Sequence, residues 1–205
     1  MRLGIISALA EEQQGLLQAL QSPATRVHGM REYTTGKLWE IDAVCVLSRI
    51  GKVAGSGDPH VNVGDIVVAD SLVQHDMDAS PLFPRFEVPL TGLSRFASDV
   101  ALTERLAAAA AKTTRVHRGL IASGDQFIGR LEQIVALKTA LPDLLAVEME
   151  GAAVAQVCFE LGIPFAVIRT ISDNANDDAA VDFLHFIETV ASRYAFEVIE
   201  NFCKA

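Results

Sequence analysis

Short runs rich in valine and isoleucine alternate with helical patterns along the chain, and this alternation constrains the fold more than any other feature. Six runs have the length and β-branched content of buried strands, and four segments between them carry apolar residues three and four positions apart. Such alternation predicts an α/β fold with helices on the faces of a sheet. The predicted strands are Arg2 to Ser7, Ile41 to Ser48, Gly64 to Asp70, Val116 to Ala122, Leu144 to Glu148 and Pro164 to Thr170, and the predicted helices are Ala10 to Leu20, Ser98 to Lys112, Leu131 to Ala140 and Glu150 to Leu161.

The end of the sequence predicts one more helix and a single domain. Ser98 is the expected N-cap of the second predicted helix. A chain of 205 residues is long enough for one sizeable core, and no linker-like stretch divides it. The last helix is predicted from an apolar face that contains Phe183, Ile187, Val190, Tyr194 and Val198.

Composition and charge exclude several classes of protein. Half of the residues are hydrophobic and 21% are charged, which excludes a disordered or collagen-like chain. The net charge of −9 and the scattered Lys and Arg residues argue against a nucleic-acid partner. No secretory leader and no membrane-spanning apolar run is found, so we expect neither export nor membrane insertion.

Cysteine and histidine usage bears on location and on metals. Cys45, Cys158 and Cys203 are an odd number in apolar surroundings, so we expect reduced thiols and a cytoplasmic protein. The five histidines show no spacing typical of metal ligands. The sequence therefore predicts no metal site.

Carboxylates follow the predicted strands, where α/β sheets place their ligand sites. Glu11 and Glu12 come after the first strand and open the first helix. Glu148 and Glu150 flank Met149 at another strand end, where alternate residues lie on the same side of the chain. The structural alternatives are a favourable charge in a first helical turn and a solvated strand end.

A third carboxylate and an arginine belong to the last predicted strand. Asp173 follows this strand, where partial desolvation raises the pKa of a carboxyl group and lets it donate a proton. A turn or an N-cap is the structural alternative for Asp173. Arg169, inside the strand, needs a carboxylate partner such as Glu148 or Glu150 and is a structural candidate as well.

Phe127 follows a turn of small residues that begins at Ser123. An aromatic ring at this place suits stacking on a planar base, whereas packing into the core is the structural alternative.

Six stretches of the sequence together resemble the nucleoside phosphorylase and nucleosidase superfamily, and most closely the methylthioadenosine/S-adenosylhomocysteine nucleosidases. They occur in the family's order and span most of the chain. The stretches are GIISALAEE from Gly4, IGKVA from Ile50, VGDIVVAD from Val63, GLIASGDQFI from Gly119, AVEMEGAAVAQVC from Ala146 and PFAVIRTISDNA from Pro164.

The resemblance implies a single domain over residues 1–205, with a twisted mixed sheet flanked by helices on both faces. It also implies a homodimer that hydrolyses the N-glycosidic bond of 5′-alkylthio-adenosines without a cofactor. By the same resemblance Glu12 activates water, Asp173 protonates the purine and Glu150 holds the ribose hydroxyl groups. The other implied substrate contacts are Phe127 on adenine beside the backbone of Ile128, Met149 on the sugar, and Ser56 and Ser172, with Glu148 and Arg169 as a supporting pair.

The sequence departs from the family at two places. Gln74 to Pro89 replaces the family's loop over the 5′ substituent, so the preferred substituent stays open. Its apolar Leu82 to Phe86 stretch is expected to lie near a partner subunit. In addition, IGKVA runs directly into GSGDP, where the family has a helix and a central strand. We therefore expect a helix-strand segment of about two dozen residues to be missing between Lys52 and Gly55.

Two other functions remain open at this point. A phosphate-dependent nucleoside phosphorylase needs a phosphate site in the first loop, where Glu11 and Glu12 repel phosphate. A nucleoside-binding relative without catalytic activity would explain a missing segment, but it has no need for Glu12, Glu150 and Asp173 together.

Overall fold

The computed structural model describes residues 2–48, 54–173, 190 and 192–205, which form ten strands and five helices. In chain order the elements are β1 (Arg2–Ser7), α1 (Ala10–Ala19), β2 (Gln21–His28), β3 (Arg31–Leu38), β4 (Ile41–Leu47), β5 (Ala54–Ser56), β6 (Ile66–Gln74), β7 (Phe96–Ala97), α2 (Val100–Ala110), β8 (Val116–Ser123), α3 (Leu131–Ala140), β9 (Leu144–Glu148), α4 (Gly151–Glu160), β10 (Ile168–Asp173) and α5 (Ser192–Lys204).

The strands form two mixed sheets. The larger has the order β10-β5-β9-β8-β6-β7, and its β6, β8 and β9 are parallel. In it β5 runs antiparallel to β9, and β10 pairs with both β5 and β6. The smaller sheet has the order β1-β4-β3-β2, in which only β1 and β4 are parallel. The predicted mixed α/β class is confirmed, with the strands divided between two sheets.

Helices cover both faces of the larger sheet. Ile66 and Val68 of β6 are buried in a cluster with residues of α2 and α5, among them Phe202. Val67 is buried on the opposite face, in a cluster that contains Ala152 of α4. Because alternate residues of a strand point to opposite faces, the continuous apolar run of β6 reflects packing on both sides.

Helix α5 packs against both sheets. Its Val198 is buried in the core of the larger sheet, whereas its Phe196 packs on a cluster of the smaller sheet that includes Leu16 and Leu38. A helix with two apolar faces is expected between two sheets. None of the described helices is long and apolar enough to cross a membrane.

The predicted C-terminal helix is only partly described. Tyr194 and Val198 lie on α5, and Val190 is half-buried. Phe183 and Ile187 lie outside the described residues.

The sequence analysis missed the hairpin of β2 and β3. Every residue of β2 is exposed, so the strand lacks the apolar alternation that marks a half-buried strand. The two-residue loops at the ends of β3 have positive φ angles throughout, as in type I′ turns. Only the first loop, Gly29-Met30, contains a glycine, and the second is Trp39-Glu40. Neither composition nor turn chemistry therefore marks this hairpin.

Among the predicted boundaries that differ from the structure are one N-cap and the ends of two strands. The N-cap of α2 is Asp99, whose carboxylate accepts from the Leu102 amide at 2.8 Å, and not Ser98. Strand β6 continues to Gln74 because it stays paired with β8 as far as Ser123. Strand β10 begins only at Ile168 and ends at Asp173.

The cysteines are free thiols, as expected. Cys45 is buried, and Cys158 and Cys203 are half-buried. Burial raises the pKa of the Cys45 thiol to about 11, which keeps it neutral and unreactive.

Strand β1 is more open than its apolar sequence predicts. Ile6 is 51% exposed, and a Cβ atom added at Gly4 would meet no atom within 4 Å. In the described part of the chain β1 pairs with β4 alone. The predicted join between Lys52 and Gly55 lies partly outside the described residues, because description resumes at Ala54.

Candidate active site

The candidate site lies where the last residues of several strands meet. Gln74 pairs with Ser123, and Ser123 pairs with Glu148, at the ends of β6, β8 and β9. On the other side of β9, Gly55 of β5 is in register with Val147 and with Asp173, the last residue of β10. The larger sheet thus brings Glu148 and Asp173, from separate sequence motifs, into one region.

Glu148 is the buried centre of this region. Its side chain is 0% exposed, and its Oε2 accepts from Nη2 and Nε of Arg169 at 2.6 and 3.0 Å. Both carboxylate oxygens accept from the Gly151 amide, at 3.0 and 2.9 Å, and Oε1 also accepts from the Ser123 hydroxyl. Burial alone would raise the pKa of Glu148, but the Arg169 charge and these donors hold it below its ordinary value. Glu148 is therefore an ionised structural anchor.

Ser123 extends this network into α4, and the sequence analysis did not identify it. Its hydroxyl accepts from the Ala152 amide at 2.7 Å while donating to Glu148. One hydroxyl therefore links the end of β8, the end of β9 and the start of α4. Its only sequence signal is its place as a small polar residue at the end of a buried strand.

Glu150 is two residues from Glu148 and has the opposite environment. Neither of its buried carboxylate oxygens has a hydrogen-bond partner among the described residues, and the Arg169 Nη2 atom is 3.8 Å from Oε2. The pKa of Glu150 is raised to about 7, mainly by burial; the Arg169 charge lowers it, and the charges of Glu148 and Glu12 contribute to the rise. Two buried acceptors without donors can take hydrogen bonds from a ligand's hydroxyl groups.

Glu12 reaches the same region from α1. Its Oε2 accepts from the Ala8 and Leu9 amides, both at 3.1 Å, so its carboxylate covers the start of its own helix. Burial lowers the pKa of Arg169, but Glu148, Glu150 and Glu12 together raise it above its ordinary value. Glu12 is thus close enough to interact electrostatically with both Arg169 and Glu150.

Asp173 is fully buried at the end of β10. Its Oδ2 accepts from the Ser172 hydroxyl at 2.7 Å. The same hydroxyl is 3.4 Å from the Ala54 carbonyl oxygen, across the ladder to β5. Ser172 therefore orients Asp173. Both residues lie at the end of the last strand, where the sequence predicts them.

A cleft beside Glu148 collects most of the predicted substrate contacts. Phe127 at its wall is 38% exposed, whereas Ile128 is buried. The Ser56 hydroxyl lies within 2.8 Å of the Asp58 carbonyl and 2.7 Å of the Val61 carbonyl, inside its own turn. The residues that line the cleft are Gly55, Gln126, Phe127, Ile128, Val147, Glu148 and Met149.

Comparisons with known proteins give consistent matches. A family model described as the phosphorylase superfamily matches residues 53–204. A 5′-methylthioadenosine/S-adenosylhomocysteine nucleosidase of Geobacillus thermodenitrificans is 35% identical, with 95% of this chain and 93% of the relative covered. The crystal structure of the Neisseria meningitidis nucleosidase of the same name, in complex with methylthio-immucillin-A, has a TM-score of 0.92 at 29% identity and covers 99% of this chain and 98% of that one. The S. pneumoniae enzyme with a transition-state inhibitor has a TM-score of 0.92 at 34% identity, with 100% and 99% covered.

The alignment with the Geobacillus relative is longer than the number of residues that this chain contributes to it. It extends over 222 residues, whereas 95% of the 205 residues here is only about 195. The relative therefore has about 27 residues, within the matched region, that have no counterpart in this chain.

The raised pKa of Glu150 predicts that Glu150→Gln stabilises the free protein at pH 8 and has little effect near pH 5. A carboxyl group whose pKa is about 7 when folded and about 4.5 when unfolded makes folding less favourable as pH rises between these values. Removing the charge should raise the free energy of unfolding at pH 8 by up to about 3 kcal/mol. Thermal or urea unfolding at both pH values measures this.

Glu148→Gln is the matched control, because the same change should act with the opposite sign. The pKa of Glu148 is lowered in the folded state, so its contribution to stability is present above its ordinary pKa and lost on acidification. Neutralising it at pH 8 leaves Arg169 without its main partner and should cost about 3–5 kcal/mol. Equal destabilisation by both substitutions would contradict the assignment for Glu150.

Proposed function

This chain belongs to the phosphorylase superfamily and, within it, to the methylthioadenosine/S-adenosylhomocysteine nucleosidases, and we propose that Glu12, Glu150 and Asp173 divide its reaction among them. It is a hydrolase of the N-glycosidic bond of adenine nucleosides with a 5′-thio substituent, and its products are adenine and the free 5-thio-ribose.

Hydrolysis of an N-riboside passes through a sugar with oxocarbenium character and releases the base. As the bond between C1′ and N9 breaks, its electron pair moves into the purine, and Asp173 supplies a proton at N7. Water attacks C1′ from the other face, and Glu12 takes up its proton. Phe127 stacks on adenine beside the backbone of Ile128.

Glu150 is the residue whose environment carries this proposal. Its two oxygens are buried without hydrogen-bond partners in the described residues, and such a site is costly unless a ligand supplies donors. The two hydroxyl groups of a ribose are donors of this kind. Met149, the residue before Glu150, lines the cleft and packs against the sugar. Ser172 and the pair of Glu148 and Arg169 support the site. Ser56, whose hydroxyl bonds within its own turn, stays a candidate substrate contact.

The first loop argues against the phosphorylase alternative. Free amides at a helix N-terminus are a favourable phosphate site. Here the Ala8 and Leu9 amides donate to the Glu12 carboxylate instead. A phosphate at this place would have to displace a like charge. Glu150, whose oxygens accept no hydrogen bond from the described residues, and the fully buried Asp173 likewise argue against a relative that only binds nucleosides.

We also propose that the loop from Gln74 to Pro89 contributes to a homodimer near the 5′ end of the substrate. Leu82 is 83% exposed, and the Phe86 side chain packs on a cluster that contains Ile128 and Ile134. An apolar loop that is anchored beside the cleft but exposed at its tip is suited to a partner surface.

We also propose that residues 1–205 form a single domain from which a helix-strand segment is missing between Lys52 and Gly55. The short β5, the open side of β1 at Gly4 and the longer match to the relatives support it. A central strand between β1 and β5 would join the two sheets.

The cellular setting is also a proposal. The free thiols of Cys45, Cys158 and Cys203 suit a reducing compartment, and we place the enzyme in the cytoplasm. We expect no cofactor, no nucleic-acid partner and no membrane partner, and a role in the salvage of methionine from its thioribose product.

The experiment that tests the reaction is incubation with methylthioadenosine, with and without inorganic phosphate, followed by chromatography of the products. We expect adenine and the free sugar at the same rate in both cases. Sugar 1-phosphate as the main product would favour the phosphorylase, and binding without turnover would favour a non-catalytic relative.

Asp173→Asn should remove most turnover and leave nucleoside binding largely intact. The amide keeps the shape and an acceptor for the Ser172 hydroxyl but cannot deliver a proton, and general acid catalysis is worth about 10²–10⁴-fold. Asp70→Asn, at an exposed carboxylate of β6 paired with Arg118, is the control and should retain full turnover. Wild-type turnover in Asp173→Asn would exclude Asp173 as the acid.

Sedimentation at micromolar concentration should show a dimer. Leu82→Glu places a charge on the exposed loop tip and should shift the sedimentation coefficient towards that of a monomer. A wild-type monomer, or a dimer that is indifferent to this substitution, would contradict the proposed interface.

A further inference from the structure

The segment that carries Phe127 and Ile128 begins with a turn that is held from two sides. We call residues 123–128 the purine turn. From β9, the Glu148 carbonyl accepts from the Gly124 amide at 3.2 Å. From the end of β6, the His75 amide donates to the Ser123 carbonyl at 2.8 Å, and the Asp76 carboxylate accepts from the Asp125 amide at 2.7 Å.

The imidazole of His75 leaves no room for a side chain at residue 124. A Cβ atom added to Gly124 would lie 2.4 Å from both Cε1 and Nε2 of His75. It would also lie 2.9 Å from Cγ of Asp76. The φ angle of Gly124 is not in the left-handed region, so its backbone accepts any L-residue. The His75 ring and the Asp76 carboxylate, rather than backbone strain, therefore require glycine here.

The imidazole of His75 is buried against the purine turn. The residue is 6% exposed, and its Nε2 atom has no hydrogen-bond partner among the described residues. Burying the Nε2 atom of a ring without a partner is costly. A ring that is held there regardless is consistent with a packing surface for the purine turn.

We propose that His75 and Asp76 are positioning residues for the nucleoside base, acting through the purine turn. The ring sets the distance between the turn and the sheet, and the carboxylate fixes the turn's register. Phe127 and Ile128 then line the cleft where the base stacks. This inference rests on the proposed function, because it assigns a base to that cleft.

A pair of compensating substitutions tests the ring contact. In Gly124→Ala the new methyl group collides with His75 and displaces the purine turn. The KM for methylthioadenosine should rise by at least about tenfold, with a smaller change in kcat. In the double variant with His75→Ala the imidazole is absent, Asp76 can shift at the surface, and KM should return to within about threefold of wild type.

Two further measurements separate this inference from the proposed function. Calorimetry with adenine and hydrogen exchange at residues 124–128 need no turnover. In Gly124→Ala, calorimetry should show weaker adenine binding and hydrogen exchange should be faster. Both quantities should recover in the double variant. If the wild type released no adenine, the proposed function would fail and the exchange data would still decide the contact. Unchanged KM and exchange in Gly124→Ala, or no recovery in the double variant, overturns the proposal.

Asp76 gives an independent test should the glycine variants fail to fold. Asp76→Ala removes the acceptor for the Asp125 amide and should raise KM several-fold with little change in kcat, whereas Asp76→Asn keeps an acceptor oxygen and should restore KM. Equal KM values in these two variants would contradict a positioning hydrogen bond.

Discussion

The ionised carboxylate of Glu148 holds the candidate site together. It is fully buried, yet the Arg169 guanidinium, the Ser123 hydroxyl and the Gly151 amide stabilise its charge. These donors belong to β10, β8 and the start of α4, so one side chain fixes four elements relative to one another. A buried ion pair contributes little net stability compared with apolar packing, but separating these elements would leave a buried charge without its partner.

Glu148 at the end of β9 and Glu150 at the start of α4 have opposite environments because of their donors. Both Glu148 oxygens accept hydrogen bonds, whereas the Glu150 oxygens accept none from the described residues. Arg169 is close to both and bonds only to the first. The Arg169 guanidinium thus donates to Glu148, and the hydrogen-bond donors to Glu150 have to come from a ligand. A sequence motif of two glutamates cannot show this division, since it depends on the distances to a third strand.

The sequence was sufficient where one segment carries the whole signal. The bounds of β1, α3 and β9 follow from apolar pattern alone. The choice of Glu12, Glu150 and Asp173 as catalytic residues rests on their places after strands and on family motifs, and it stays a prediction. In the hairpin of β2 and β3, β2 has no such pattern, because all of its residues are exposed. Ser123 and His75 owe their roles to contacts between separate strands. Such contacts exist only in the folded chain, so residue types and spacing do not reveal them.

The pKa of Glu150 near 7 has a consequence for the thermodynamics of ligand association. In neutral solution part of the free molecules therefore carry a proton on this carboxyl group. A ligand that donates hydroxyl groups to both oxygens favours the ionised form, so its uptake releases protons into the medium. The heat of association then includes the ionisation heat of the buffer, and it differs between buffers of the same pH.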